Sequence, residues 1–505
     1  MKKLMVLSLM MVLLLIASYG DAANSSRPTK DTVVFAQTAD ITSLDPHVGR
    51  QLSACVVHIQ MFDTLVKFSP TRELVPSIAA SWKFLSDTEL ELQIRKGMKF
   101  HNGDDLTAED VAFSITRAVN SPHTGHLFPF IKAAEVTDDY TVVISTKEPY
   151  AAFLFALTSP TASIVPKKVV EADEKAFALH PIGSGPYKFV EWKPGESVTL
   201  EAFEGYYLGT PPTKTLVMRV IPENAQQAIM LETGEIDIAY AVLANDVSKI
   251  ESNPDLKTIH ELATKSVGLV FNNRSAGPVS NKLVRRAIEY AINKDLIVEK
   301  VLYGNGQPGS TIVPPGVVGY DDTLPANRYD VQKAKALLVE AGYPDGFEMR
   351  LWVQNDQVYQ EVCQVLQSQL QEVGIDVKIE VLEYGTMLSM VYGGSDFDAV
   401  LKFFNIDSGD GAHGVYTYSS TNSANTTRYD SPEATALIAE NRITLDQEKR
   451  KELFGKIYAI LEEDKPEISV FYEQIVLAMS KNVEGLEVHK EGYHKYRNVV
   501  VYADQ

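Results

Sequence analysis

The segment LQIRKGMKFHNGDDLTAEDVAFSITRA, residues 92–118, reads as a strand, a tight turn and a capped helix in immediate succession. From Leu90 to Arg95 apolar and polar side chains alternate, as a strand with one buried face requires. Gly97 and Gly103 punctuate the turn. Thr107 and Asp110 then stand at capping-box spacing, where short acceptor side chains satisfy backbone N–H groups left open at a helix start. Val111, Ile115, Ala118 and Val119 follow on one helix face. The same punctuation recurs along the chain. Asp330 caps a helix with the stripe Val331, Ala334, Leu337, Leu338 and Ala341, closed by Gly342 with Pro344 beyond it. A helix through Val362, Val365, Leu366, Leu370 and Val373 ends at Gly374 and feeds an alternating strand at Ile375, Val377, Ile379 and Val381. In ENAQQAIMLETGEIDIAY (223–240) a short helix ends near Gly234 and a strand begins at Ile236 and Ile238. Further strands are predicted at Tyr140 to Thr146, Val198 to Ala202 and Asn498 to Tyr502. Helices and strands in alternation specify an α/β fold.

Residues 1–26, MKKLMVLSLMMVLLLIASYGDAANSS, carry the pattern of an export signal: Lys2 and Lys3, an apolar run from Leu4 to Ala17, and small residues Gly20 and Ala22 before a cut after Ala22. The run is shorter than the roughly 20 apolar residues of a spanning helix, and no cysteine near the cut offers a lipid attachment point. The expected location is the periplasm. The 505 residues exceed the roughly 250–300 at which one core stops growing, so at least two lobes are expected. A formal net charge of −19 argues against nucleic acid and anionic membranes as partners. With only Cys55 and Cys363 in an oxidising compartment, disulfides are not the main stabiliser, and two buried thiols are expected.

Catalytic signatures fail. Gly304, Gly306 and Gly309 match GxGxxG in spacing but follow a helix and enclose Pro308, so no nucleotide loop is expected. Walker A, HExxH and GxSxG sequences are absent from the chain. His123 and His126 form an HxxH pair in a loop; His58 reads as a core histidine. Asp407, Asp410 and His413 in DSGDGAHG are spaced three apart without matching a calcium loop. No cofactor, no resident metal and no enzymatic activity are expected.

Several segments together resemble one family, the periplasmic solute-binding proteins of ABC importers, extracellular solute-binding protein family 5, of the peptide- and nickel-binding type. The resemblance rests on TSLDPHV (42–48), MFDTLVKF (61–68), LVPSIAASWKF (74–84) with the opening stretch, GSGPYKFVEWKPGESVTLEAFEGYY (183–207), MLETGEIDIA (230–239), VRRAIEYAINKDLI (284–297), YDVQKAKALLVEAGYPDG (329–346) and LQEVGIDVKIEVLEYGTMLSMVYGGSDFDAVL (370–401). It implies a two-lobed periplasmic binding protein fold, the large three-subdomain type II variant, with a hinged ligand cleft. Its implied parts are a signal peptide (1–22), a lobe I base (31–68, 185–270 and 477–505), an inserted subdomain (69–184) and lobe II (271–476). The implied function is a monomeric receptor that captures a short peptide or an amine-bearing, amino-acid-like solute and delivers it to an ABC permease.

In peptide-binding relatives the loop after a strand like FDAVLKFF (397–404) carries an aspartate that pairs with the ligand ammonium. Here that loop is NIDSGDGAHG (405–414), which places Asp407 at the matching position with Asn405 and Asp410 beside it; the alternative is a solvated or loop-capping aspartate. Two departures put a standard dipeptide specificity in doubt. The stretch LWVQNDQVYQ (351–360) offers Gln354 where relatives have a carboxylate-clamping arginine, and Phe404 replaces a tryptophan. Arg50, in PHVGRQLS (46–53), is a candidate replacement clamp because a guanidinium binds a carboxylate in two-pronged fashion, against the reading of an ordinary surface arginine. Tyr384, Phe404, Tyr416 and Tyr418 are candidates for an aromatic ligand wall, with core packing as the alternative. Rival readings are a nickel or metal-chelate receptor through His413, a secreted hydrolase, and a chaperone for exported chains.

Overall fold

Two long antiparallel strands, Leu256–Phe271 and Glu467–Ser480, carry the architecture. A computed structural model describes residues 27–240, 242–406 and 408–503; the export segment and Asp407 lie outside the described residues. The two strands sit in the middle of an 11-stranded sheet. On one side follow Ala399–Asn405, Phe347–Gln354 and Ile375–Leu382; on the other follow Ile238–Ala239, Thr32–Gln37, Thr215–Val220, Ser197–Ala202 and Tyr187–Lys193. Gly306–Pro308 pairs with Glu467–Ser480 off this path, so the GxGxxG spacing belongs to a strand and its flanks. The register of the long pair breaks between Leu262 and Ser266, a local bulge of the kind that bends a strand and sharpens its twist. Below the break the pair joins the strands of residues 32–37 and 238–239; above it, those of residues 347–405.

Each half of the sheet has its own core. Val33, Phe35, Val57, Phe62, Tyr187, Leu216, Leu477, Tyr496 and Val499 form one cluster, with Phe35 stacked on Tyr496 at 4.3 Å. Val267, Phe271, Ile288, Leu338, Leu351, Val362, Cys363, Val377 and Phe471 form another. A separate four-stranded antiparallel sheet, in the order Ala79–Ser86, Glu89–Ile94, Thr141–Thr146 and Ile131–Asp138, packs with the helix Ala108–Asn120 around Leu90, Phe100, Val111 and Ile144. Cys55 and Cys363 are both buried and unbridged, and burial pushes the Cys363 thiol up to about 12.

The local signals act as expected. Thr107 and Asp110 form a complete capping box. Asp330 accepts from Lys333 N at 2.9 Å, and Gly342 and Gly374 take φ of +90° and +89° at helix ends, where a side chain would be strained. The predicted strand at Asn498 to Tyr502 shortens to Val500–Val501, paired with Val483–Glu484. In the RKGMKFHNGD turn, Phe100 N donates to Asp104 O and Leu106 N to Met98 O, leaving Met98, Phe100 and Leu106 buried.

That turn is fastened to the GSGPY segment through one neutral histidine. His101 Nδ1 accepts from Gly183 N at 3.1 Å, its Nε2 donates to Gly185 O at 3.0 Å, and burial holds its pKa down to about 4. A Cβ at position 183 would lie 1.9 Å from Met61 O, a contact only backbone movement could relieve. Gly183→Ala is therefore expected to cost about 1–3 kcal/mol of stability, read as a lower urea midpoint; an unchanged midpoint would show that the junction is plastic.

Candidate functional site

In an open α/β sheet, ligands bind beyond the carboxyl ends of the parallel strands. Of the parallel strands Phe347–Gln354 and Ala399–Asn405, the second ends where the long pair breaks register, with Asn405 opposite Lys265, and the first ends short of it, with Val353 opposite Leu401. There Asn405 Oδ1 accepts from Thr264 Oγ1 at 3.2 Å, Ile406 N donates to Thr264 O at 2.8 Å, and Thr264 N donates to Lys490 O at 3.1 Å. Three segments thus meet at one point: the crossing strand, the loop that opens at Ile406, and the last stretch of the chain. Gly409 in that loop has φ +70° and lies so close to Phe68 and Arg72 that a side chain would strike both. At Gly409 the loop therefore abuts the other half of the molecule.

The expected site residues divide. Asn405 stands at this junction. Gln354 ends its strand with Oε1 buried and without a partner, a polar atom that a ligand donor would satisfy. Phe404 meets His413 edge-on at 5.2 Å, and Tyr416 lies under the Arg442 guanidinium at 4.0 Å. Burial lowers the pKa of His413 and keeps its ring neutral. Tyr384, 41% exposed, stacks at 5.8 Å on Phe403, not on Phe404. Because neighbouring residues of a strand point to opposite faces, Tyr384 and Phe404 lie on opposite sides of the sheet, and the expected single aromatic wall is divided.

Three expectations need correction. Asp410, expected at the ligand, is fully buried, and both its oxygens are taken by Arg450, Oδ2 from Nη1 at 2.8 Å and Oδ1 from Nη2 at 2.7 Å. Its role is to hold the loop. Tyr418 is 4% exposed, packs with Phe454 and Tyr458, and donates its hydroxyl to Glu467 at 3.1 Å; it is core. Arg50 meets His126 Nε2 at 2.9 Å on an exposed surface, the setting of the surface arginine that was the alternative reading. Among the described residues no group of three or more His, Cys, Asp or Glu side chains is placed to hold a metal.

Other residues at the junction carry no local sequence signal. Arg72, at φ +65°, pairs with Glu491, and Ala151 N donates to Arg442 O at 2.8 Å across the gap between the small sheet and the loop region. Lys265 pairs with Glu473 at 2.7 Å and lies 4.2 Å from the Phe403 ring centre. These groups come from segments hundreds of residues apart, so no local spacing announces them; the unusual φ of Arg72 is visible only in the structure.

Comparison with known proteins follows the same lines. The family model described as bacterial extracellular solute-binding proteins, family 5 (middle part), matches residues 73–426. The chain is 29% identical over 476 residues to the glutathione-binding protein GsiB of Pectobacterium atrosepticum, covering 91% of this chain and 92% of that one. Among solved structures it resembles the periplasmic binding protein DppA from Helicobacter pylori in complex with peptide STSA (28% identity, TM-score 0.80, covering 95% and 100% of the two chains). It also resembles the oligopeptide-binding protein AppA from Bacillus subtilis in complex with a nonapeptide (25% identity, TM-score 0.77, covering 95% and 100%). A split sheet bridged by two long strands, with a loop held at the bridge, is thus the two-lobed type II periplasmic binding protein fold, and the chain belongs to the extracellular solute-binding proteins of family 5.

Proposed function

We propose that this chain is the periplasmic receptor of an ABC importer, a non-catalytic monomer that captures a short peptide or an amine-bearing, amino-acid-like solute between its lobes and hands it to a separate membrane permease. The observation that carries this reading is the loop beginning at Ile406. It springs from the carboxyl end of a central strand, is tied to the crossing strand at Thr264, and lies against Phe68 and Arg72 of the opposite lobe. A ligand bound there touches both lobes, which is what lets binding energy bias a closure equilibrium. The names of GsiB, DppA and AppA support a peptide-sized ligand with a free amine. No helix among the described residues is long and apolar enough to cross a membrane, so the permease is a separate chain in this reading.

Asp407 is the proposed partner of the ligand ammonium. Removing one member of a hydrogen-bonded charge pair in an interface costs about 2 kcal/mol or more, about thirtyfold in Kd. Asp407→Ala is accordingly expected to weaken glutathione or tetrapeptide binding by about that factor in calorimetric titration, with the melting temperature unchanged. Unaltered affinity for both probes would remove Asp407 from the site.

A further inference from the structure

The lobes also meet at Arg442, the next to last residue of the helix Pro432–Ile443. This helix belongs to lobe II, where Ala434 and Ile438 pack with Ile406 and Phe454. Arg442 O is one of the last-turn carbonyls that a helix cannot satisfy internally, and it accepts from Ala151 N at 2.8 Å. Ala151 follows Tyr150, whose ring stacks on Phe130 at 4.1 Å and packs with the core of the small sheet in lobe I. The Arg442 guanidinium lies 6.0 Å from the centre of the Tyr150 ring and 4.0 Å from that of Tyr416, so one cation serves two rings, one from each lobe. Tyr416 steadies the guanidinium within lobe II, which reduces the side-chain freedom lost when Tyr150 meets it. Tyr150 is close enough to lobe II to feel the charges of Asp410, Arg442 and Arg450; burial, with the Asp410 carboxylate adding to it, pushes its hydroxyl up to about 12.

Asn441, the neighbour of Arg442, is fully buried and accepts from Arg450 Nη2 at 3.3 Å, and Arg450 in turn grips Asp410 with both its terminal nitrogens. The helix end that lobe I grasps is therefore the one that positions the loop beyond Asn405. We infer that Arg442, clasped by Tyr150 and Ala151 of lobe I, is an interlobe latch that holds part of the receptor population closed before any ligand binds, and that Asn441, Arg450 and Asp410 tie this latch to the loop beginning at Ile406. A ligand that enters the open form then acts on an equilibrium the latch has already biased, and it needs less differential affinity for the closed form to complete the shift. Withdrawing a half-buried cation from an aromatic ring changes such an equilibrium by about fivefold. The latch follows from the two-lobed fold and depends on no property of the ligand.

The test is a distance measurement by electron paramagnetic resonance on the full chain, freed of bound solute by dialysis. Spin labels go on Asp87→Cys, in the turn of the small sheet, and on Lys335→Cys, on the helix Val331–Glu340 of lobe II; both positions are exposed, whereas Cys55 and Cys363 are buried. A short and a long distance are expected. Arg442→Ala and, from the other lobe, Tyr150→Leu are each expected to lower the ratio of short to long by about fivefold. The double variant is expected to lower it no further than the stronger single one, because the two side chains make one contact. The latch is overturned if the receptor with Arg442 and Tyr150 in place shows the long distance alone, if either folded single variant leaves the ratio within about twofold, or if the double variant lowers it by the product of the two single effects. Arg442 and Tyr150 lie in different lobes, so a failure of one variant to fold leaves the other to decide.

Discussion

Replacing Asp410 by alanine is expected to lower the unfolding free energy by about 3–5 kcal/mol, the range for breaking a buried ion pair by removing one partner. Arg450 is 1% exposed and Asp410 0%, and the pair is two-pronged. Arg450 also donates to Asn441 at 3.3 Å, and Asp410 Oδ1 accepts from Ala412 N at 2.9 Å, so the carboxylate both neutralises a guanidinium and shapes the turn into the next helix. With Asp410 gone, the guanidinium is left in a core of Val313, Ile406 and Phe454, where water cannot reach it. Urea unfolding of Asp410→Ala measures the loss. The double variant Asp410→Ala with Arg450→Met removes the stranded charge and is expected to recover a large part of it. A loss below about 1 kcal/mol accompanied by collapse of ligand affinity would reverse the assignment and put Asp410 back at the ligand.

Stability is also expected to fall steeply below pH 6.5. Burial holds His47, His58 and His101 down to about 4 and His494 to about 3. The hydrogen bonds agree with neutral rings: His47 Nδ1 lies 2.8 Å from Arg117 Nη1 and accepts from it, and its Nε2 donates to Ser163 O at 3.0 Å. These bases have folded pKa values below their unfolded value near 6.5, so the unfolded chain binds protons first as pH drops. Each site therefore loses stability from about pH 6.5 downward and saturates near its folded pKa. At pH 5 the loss is about 2 kcal/mol per histidine. Asp63 has the opposite sign: its folded pKa near 6 exceeds the unfolded 3.8, and it returns about 1 kcal/mol over the same window. The four histidines outweigh it. Melting temperatures between pH 8 and 4.5 are expected to hold level to about pH 6.5 and then drop; a level curve to pH 5 would mean that these rings are hydrated.

The architecture was legible because its signals are local. The Thr107 and Asp110 capping box, the Asp330 cap and the glycines at 342 and 374 each act within a few residues, and the structure uses every one of them. The site was legible only in outline. The strand ending at Asn405 and the loop beyond it follow from the sequence, yet Asp410 and Arg450 are 40 positions apart and nothing in either neighbourhood marks them as partners. The division of the aromatic wall has a different origin. Alternation along Ala399–Asn405 puts Phe403 and Phe404 on opposite faces, but which of them Tyr384 meets depends on the path of the chain after Leu382, and no periodicity in the sequence sets that.

The long pair of strands also sets an order of assembly. The core around Val33 and Phe35 includes Leu477, Tyr496 and Val499, and Ile238–Ala239 pairs with residues that arrive near position 479. A chain emerging from its amino end can complete the small sheet of residues 79–146, and then much of the core around Leu351 and Leu366, while its earliest strand still waits for the last thirty or so residues. Contacts of such sequence separation are slow to form. The first lobe to be synthesised is therefore the last to close, and a chain cut short anywhere before Tyr496 keeps an open, apolar face where its base should be.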